Sequence, residues 1–242
     1  MNCKRYPATA PPVHLTKHGR KRPGRFTGML KISSEREARD MSFFENTRRP
    51  DGLGGKLMVS MMNIGHKALA DWGLRFLSAA PDAKILDCGC GGGANIRKLL
   101  KKYPQSIVKG VDYSAVSVEK ARRLNRDAIT DERCAVWQGS VSKMIFAASW
   151  FDAVTAFETV YFWPELTQSF REVLRVLKLG GTFLICNECS GDNEKDEKWM
   201  ERIEGMTIYK DTELKAALEQ SGFRDVQIHK NQRGWLCVLA RK

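Results

Sequence analysis

The chain contains no apolar run as long as the roughly 18 residues a membrane-spanning helix needs. Its N-terminus also lacks the apolar core of a secretory signal, so neither a membrane span nor export is expected, and the expected location is cytoplasmic. Histidine is scarce, with four in 242 residues, and no histidine cluster accompanies the closely spaced Cys88 and Cys90. Cys88 and Cys90 stand too close together for a CxxC pair, so no metal is expected. The seven cysteines are odd in number and scattered, which fits a reducing compartment better than a disulfide framework.

Acidic residues are few at the N-terminus. Residues 1–40 hold ten basic and three acidic residues, so this segment carries much of the formal net charge of +12. It combines proline, glycine and basic residues without apolar periodicity, a composition expected to be disordered. Its KHGRKRPGR run has the chemistry to hold a phosphate backbone. Such runs are more often solvated tails, and nucleic acid is not expected as a partner. Residues 41–242 have an ordinary charge balance and the length of one α/β domain.

From residue 84 onward, short β-rich runs alternate with helical patterns, as in βαβ units built on a parallel sheet. Strands are predicted at 84–88, 106–112, 134–138, 151–157 and 182–187. A helix is predicted over 164–178, where Leu166, Phe170, Val173, Leu174 and Leu177 share a face and Pro164 suits the first turn. Another follows Ser114 and runs to about Asn125, and a third spans 211–221 with Gly222 as its left-handed cap. The last two β-like runs, 225–229 and 235–240, are separated by the five residues KNQRG, too few for a crossover helix. They are therefore expected to form an antiparallel hairpin on an otherwise parallel sheet. Two helical segments, about 55–80 and 188–210, are candidates for covering a site or for ordinary core packing.

The run ILDCGCGGGAN (85–95) places Asp87 at a strand end, followed by Gly89, Gly91 and Gly93 in a turn that opens a helix. Glycine is required where a backbone must turn sharply and let a ligand approach. Asp112 follows at the end of the second strand, where a carboxylate can accept both hydroxyls of a ribose. Together they describe an adenosine-binding crevice, but Gly89, Gly91 and Ala94 also satisfy the loose pattern of dinucleotide-binding folds. Charge separates the two. A carboxylate at Asp87 repels a pyrophosphate, whereas it favours the ammonium and sulfonium of S-adenosylmethionine (SAM).

The ordered set DCGCGGG (87–93), GVDYS (110–114), QGS (138–140), FDAVTAFETVYFW (151–163) and LKLGGTF (177–183) resembles the class I SAM-dependent methyltransferases. The likeness is greatest to the ubiquinone and menaquinone biosynthesis group, and it covers roughly residues 55–242. The resemblance implies a Rossmann-like α/β fold with a seven-stranded, mostly parallel sheet, helices on both faces, and the last strand inserted antiparallel between the fifth and sixth. By the same resemblance Asp87, Gly89, Cys90 and Gly91 shape the methionine end of the cofactor site, and Asp112 holds the ribose. Tyr113 lies against the adenine face, and Ser140 with Val141 reaches its edge. The family commonly has an acid where Ser140 stands and a proline where Leu179 stands.

Methyl transfer from a sulfonium is an in-line displacement with an already activated electrophile, so positioning and water exclusion supply most of the acceleration and a base is optional. The segment after the fourth strand offers Phe157 as a border to the cofactor and Glu158 as a base or an anchor for the methionine ammonium. Tyr161 is a candidate for orienting the acceptor, with core packing as the alternative. Asn187 and Glu188 form a second polar pair at the end of the fifth strand, and loop capping is their alternative role. His66, in a candidate lid, is a further possible base or substrate contact, although a lone helical histidine is more often structural. The expected acceptor is a small molecule whose identity and acceptor atom the sequence leaves open. An RNA or protein methyltransferase and a noncatalytic SAM-binding module are the alternatives, and no NPPY-like tetrapeptide follows the fourth strand.

Overall fold

The computed structural model describes residues 67–242. The basic segment 1–40, the part of the first candidate lid before residue 67, and His66 lie outside the described residues. Seven strands form one sheet: β1 (Lys84–Cys88), β2 (Ile107–Asp112), β3 (Cys134–Gln138), β4 (Phe151–Phe157), β5 (Leu177–Asn187), β6 (Arg224–Lys230) and β7 (Leu236–Arg241). Their spatial order is β3-β2-β1-β4-β5-β7-β6. β1 to β5 run parallel, and β7 pairs antiparallel with both β5 and β6. The hairpin and the insertion of the last strand between β5 and β6 are thus as expected. The central strands are apolar on both faces because helices cover both.

One apolar layer packs the face covered by α1 (Lys67–Gly73), α2 (Ala94–Lys102) and α3 (Ala115–Leu124), with Leu69, Ile85, Ile96, Leu99, Val108 and Val118 at its centre. The other lies under α5 (Leu166–Val176) and α7 (Asp211–Ser221) and is built from Leu86, Val154, Phe170, Val173, Phe183 and Leu214. Short α4 (Arg126–Thr130) follows α3, and α6 (Glu194–Arg202) forms part of the 188–210 insert. Among the described residues, no helix is long and apolar enough to cross a membrane.

Two boundaries differ from the sequence reading. The helix expected over 164–178 spans Leu166–Val176. Pro164 precedes it, because Glu165 takes a left-handed conformation (φ 43°) as the cap, and Trp163 before the proline is extended. At the other end Leu177 already pairs with Phe151, and after a bulge the β5 ladder resumes at Thr182 opposite Ala153. The intervening turn, with Gly180 at φ 76°, leaves Leu179 89% exposed.

β1 is flanked by β2 on one side and β4 on the other, so the chain leaves its carboxyl end between diverging crossovers. A crevice opens at that point in any doubly wound sheet.

Candidate cofactor and acceptor site

The glycine turn lies at this crevice, and its three glycines do different work. Gly89, Gly91 and Gly93 all have positive φ, at 69°, 51° and 79°. A Cβ on Gly89 would lie 2.0 Å from the Thr159 Oγ1, and one on Gly93 would lie 2.8 Å from the Ala121 Cα. Those two positions are glycine because protein packs against them. A Cβ on Gly91 would meet nothing within 4 Å, so this backbone faces open space that a ligand can fill. The Gly89 and Cys90 N–H groups donate to the Val111 carbonyl (2.8 and 3.1 Å), and the Gly91 N–H donates to the Asp112 Oδ2 (2.9 Å). The Cys90 side chain packs over Gly110 in the buried layer, so only its backbone borders the crevice. Burial pushes its thiol well above the ordinary range.

Asp87 is 1% exposed. The Thr155 hydroxyl donates to its Oδ1 at 2.7 Å, while its Oδ2 has no hydrogen-bond partner. Burial pushes its pKa up to about 7; the Thr155 bond opposes this and the neighbouring Asp112 charge adds to it. Asp112 is also buried and raised, again chiefly by burial. Its two oxygens accept from the Gly91 and Ser114 N–H groups, and an ionised carboxylate has lone pairs left for further donors. Thr155 was not singled out in the sequence, although it is the one hydroxyl in the otherwise apolar core of its strand.

Beyond Asp112 the Tyr113 side chain is exposed, and its carbonyl accepts from the Gln138 amide at 3.0 Å. The Gly139 N–H donates to the Asp112 carbonyl, bringing the end of β3 alongside the end of β2. Ser140 is exposed in a serine turn, 2.8 Å from the Ser142 hydroxyl, while Val141 is buried in the apolar layer. Tyr113 and Ser140 are therefore both exposed at the adjoining ends of β2 and β3, with Val141 packed into the core.

At the end of β4 the chain bends sharply. Phe157 packs with the α1 layer, where a Cβ on Gly73 would be 3.3 Å from its ring. Glu158 follows in a left-handed conformation (φ 57°), a strained backbone for a non-glycine residue. Its N–H donates to the Cys186 carbonyl (3.0 Å), and its Oε1 accepts from the Glu188 N–H and from the Tyr161 hydroxyl (3.2 Å). Burial pushes the Glu158 pKa up to about 8; the Glu188 charge adds to the rise, and the Glu188 N–H and Tyr161 hydroxyl oppose it. The buried Tyr161 hydroxyl also accepts from the Cys189 N–H (2.9 Å). Glu158, Tyr161, Glu188 and Cys189 form one polar knot joining the ends of β4 and β5. Beside it, Asn187 is fully buried with neither side-chain polar atom partnered. Tyr161 is thus a buried tie between the two strand ends, which is closer to the core-packing alternative than to an open acceptor contact.

A family profile described as a methyltransferase domain matches residues 86–185. The chain is 31% identical over 156 residues to the cycloartenol-C-24-methyltransferase of Arabidopsis thaliana, an alignment covering 61% of this chain and 46% of that protein. It therefore spans about half the length of this curated relative. A putative methyltransferase solved with the Haloferax volcanii Trm112 methyltransferase activator superimposes with a TM-score of 0.70 at 21% identity, covering 77% of this chain and 93% of that one. Geranyl diphosphate C-methyltransferase from Streptomyces coelicolor, solved with Mg2+, geranyl-S-thiolodiphosphate and S-adenosyl-L-homocysteine, gives a TM-score of 0.63 at 19% identity, covering 72% and 75%.

Proposed function

We propose that the chain is a class I SAM-dependent methyltransferase that transfers a methyl group from SAM to an apolar small molecule, a reading supported by its methyltransferase-domain match and its relatives. The observation that carries this reading is the unpartnered Asp87 carboxylate oxygen at the end of the strand that leads into the turn with the open Gly91 backbone. A buried carboxyl without a partner favours a cation, so the residues present fit SAM and oppose a diphosphate. When bound, SAM supplies a methyl group already activated on a sulfonium.

The chain contributes binding, orientation and proton control. Asp87 and the Gly91 backbone take the methionine end with the Cys90 main chain, and Asp112 takes the ribose. Tyr113 covers the adenine face, with Ser140 at its edge and Val141 packed in the core behind it. On the acceptor side, Glu158 stands largely protonated in the free protein at neutral pH, because burial raises its pKa. A cation brought into the crevice favours the carboxylate, which can then accept a proton released by the acceptor. The Tyr161 hydroxyl and the Glu188 N–H hold that carboxylate in place. The 188–210 insert, tied to Tyr161 by the Thr207 N–H donating to the Tyr161 carbonyl (2.9 Å), serves as a cover against water.

The apolar acceptor class is supported by relatives that methylate sterol carbon, a reaction that leaves a proton to be removed. Incubation with methyl-labelled SAM and a whole-cell metabolite extract, followed by mass spectrometry, tests the reading. Label is expected in a product that partitions into organic solvent. Label confined to protein or RNA, or SAM binding without any labelled product, would overturn it.

A further inference from the structure

Asn125 occupies the joint between α3 and α4 and is 4% exposed. Its Nδ2 donates to the Ala121 carbonyl in its own helix (2.9 Å) and to the Gly93 carbonyl, 32 residues away, at 3.1 Å. Two carbonyl acceptors fix the orientation of the amide, since a flipped side chain would set oxygen against oxygen. The Asn125 Oδ1 has no partner. A buried carbonyl left unmade opposes folding, so the two donated bonds do not mark a residue placed for stability alone.

The Gly93 carbonyl that Asn125 grips also accepts the Arg97 N–H (3.2 Å), the first bond of α2. The Gly93 N–H donates to the Cys90 carbonyl (2.9 Å), closing the turn. The turn therefore has two anchors, Asp112 at the Gly91 end and Asn125 at the Gly93 end. The anchors differ in kind. Asp112 lies at a strand end in the crevice, whereas Asn125 is enclosed between α3 and the turn, where a Cβ on Gly93 would come within 2.6 Å of its Nδ2.

We infer that Asn125 is a positioning residue for cofactor binding: by holding Gly93 against α3 it sets the bend that presents the open Gly91 backbone to the methionine arm of SAM. The inference rests on the methyltransferase reading above. It makes a prediction that a merely structural role does not, namely a loss restricted to ligands carrying that arm.

The test is calorimetric titration of the full chain with S-adenosylhomocysteine and with 5′-methylthioadenosine, which shares the thionucleoside but lacks the aminocarboxypropyl arm. For Asn125→Leu the dissociation constant for S-adenosylhomocysteine should rise about tenfold, while that for methylthioadenosine stays within about twofold. Asn125→Asp provides a milder second variant. Between two carbonyls its carboxyl should stay protonated and keep one donated bond, giving an intermediate loss with the same ligand preference. Equal losses for both ligands, or no loss for either, would overturn the inference while leaving the methyltransferase reading intact. Wild-type protein that bound neither ligand would overturn both.

Discussion

At neutral pH the Asp87 carboxyl stands near its own midpoint, because burial has pushed its pKa to about 7. An unfolded aspartate titrates at about 3.9, so between these values the folded chain holds a proton that the unfolded chain has released. The stability this contributes is present at low pH and is lost as pH rises toward 7, and the raised Glu158 extends the trend toward 8. Thermal melts of the cofactor-free protein should therefore show Tm falling from pH 5 to pH 8 in a low-salt buffer series, and a Tm that rises over that range would contradict the burial argument. Gly91 gives a second residue-scale test. Its φ of 51° makes Gly91→Ala cost about 1 kcal/mol of stability, but the added methyl group enters the open side of the turn. SAM affinity should fall by about tenfold or more while the fold persists, and unchanged affinity would move the cofactor away from this backbone.

Among the elements, β5 gives the crevice its rigid far wall. Phe183, fully buried on β5, stacks on Trp163 at 6.0 Å and meets Phe170 edge-on at 5.7 Å, so one ring ties the strand to α5 and to the turn after β4. Phe183→Ala should cost about 3–5 kcal/mol in denaturant unfolding, and a loss below about 1 kcal/mol would show that the aromatic cluster does not brace the wall. The elements were largely legible in the sequence because their signals are local. The five-residue KNQRG link dictated the hairpin, Ser114 accepts from the Ser117 N–H as an N-cap, and Gly222 caps α7 at φ 104°. The ends of α5 were misread because the left-handed Glu165 and the bulge between Phe151 and Ala153 leave no mark on hydrophobic spacing. Distance in sequence hid the rest. Asp87, Gly91 and Asp112 stand in a recognisable motif, but the Thr155 hydroxyl reaches Asp87 across 68 residues and Asn125 reaches Gly93 across 32. Thr159 sits over Gly89 only because β4 lies beside β1 in the sheet.

Across the whole molecule, the strand order brings the ends of β1, β2 and β4 together, and with them two buried carboxyls and a glycine turn with one open face. The account depends on this junction accepting a positively charged methyl donor, with Asp87 ionising as it binds. Titration calorimetry with SAM from pH 5.5 to 8.5, on wild type and on Asp87→Asn, measures this most directly. Wild-type affinity should rise steeply with pH below 7 and more gently toward 8, where Glu158 also ionises, with proton release on binding, while the variant binds more weakly and shows a flatter profile below 7. A wild-type affinity for SAM that does not change with pH, or protein that binds a nicotinamide dinucleotide and not SAM, would contradict it.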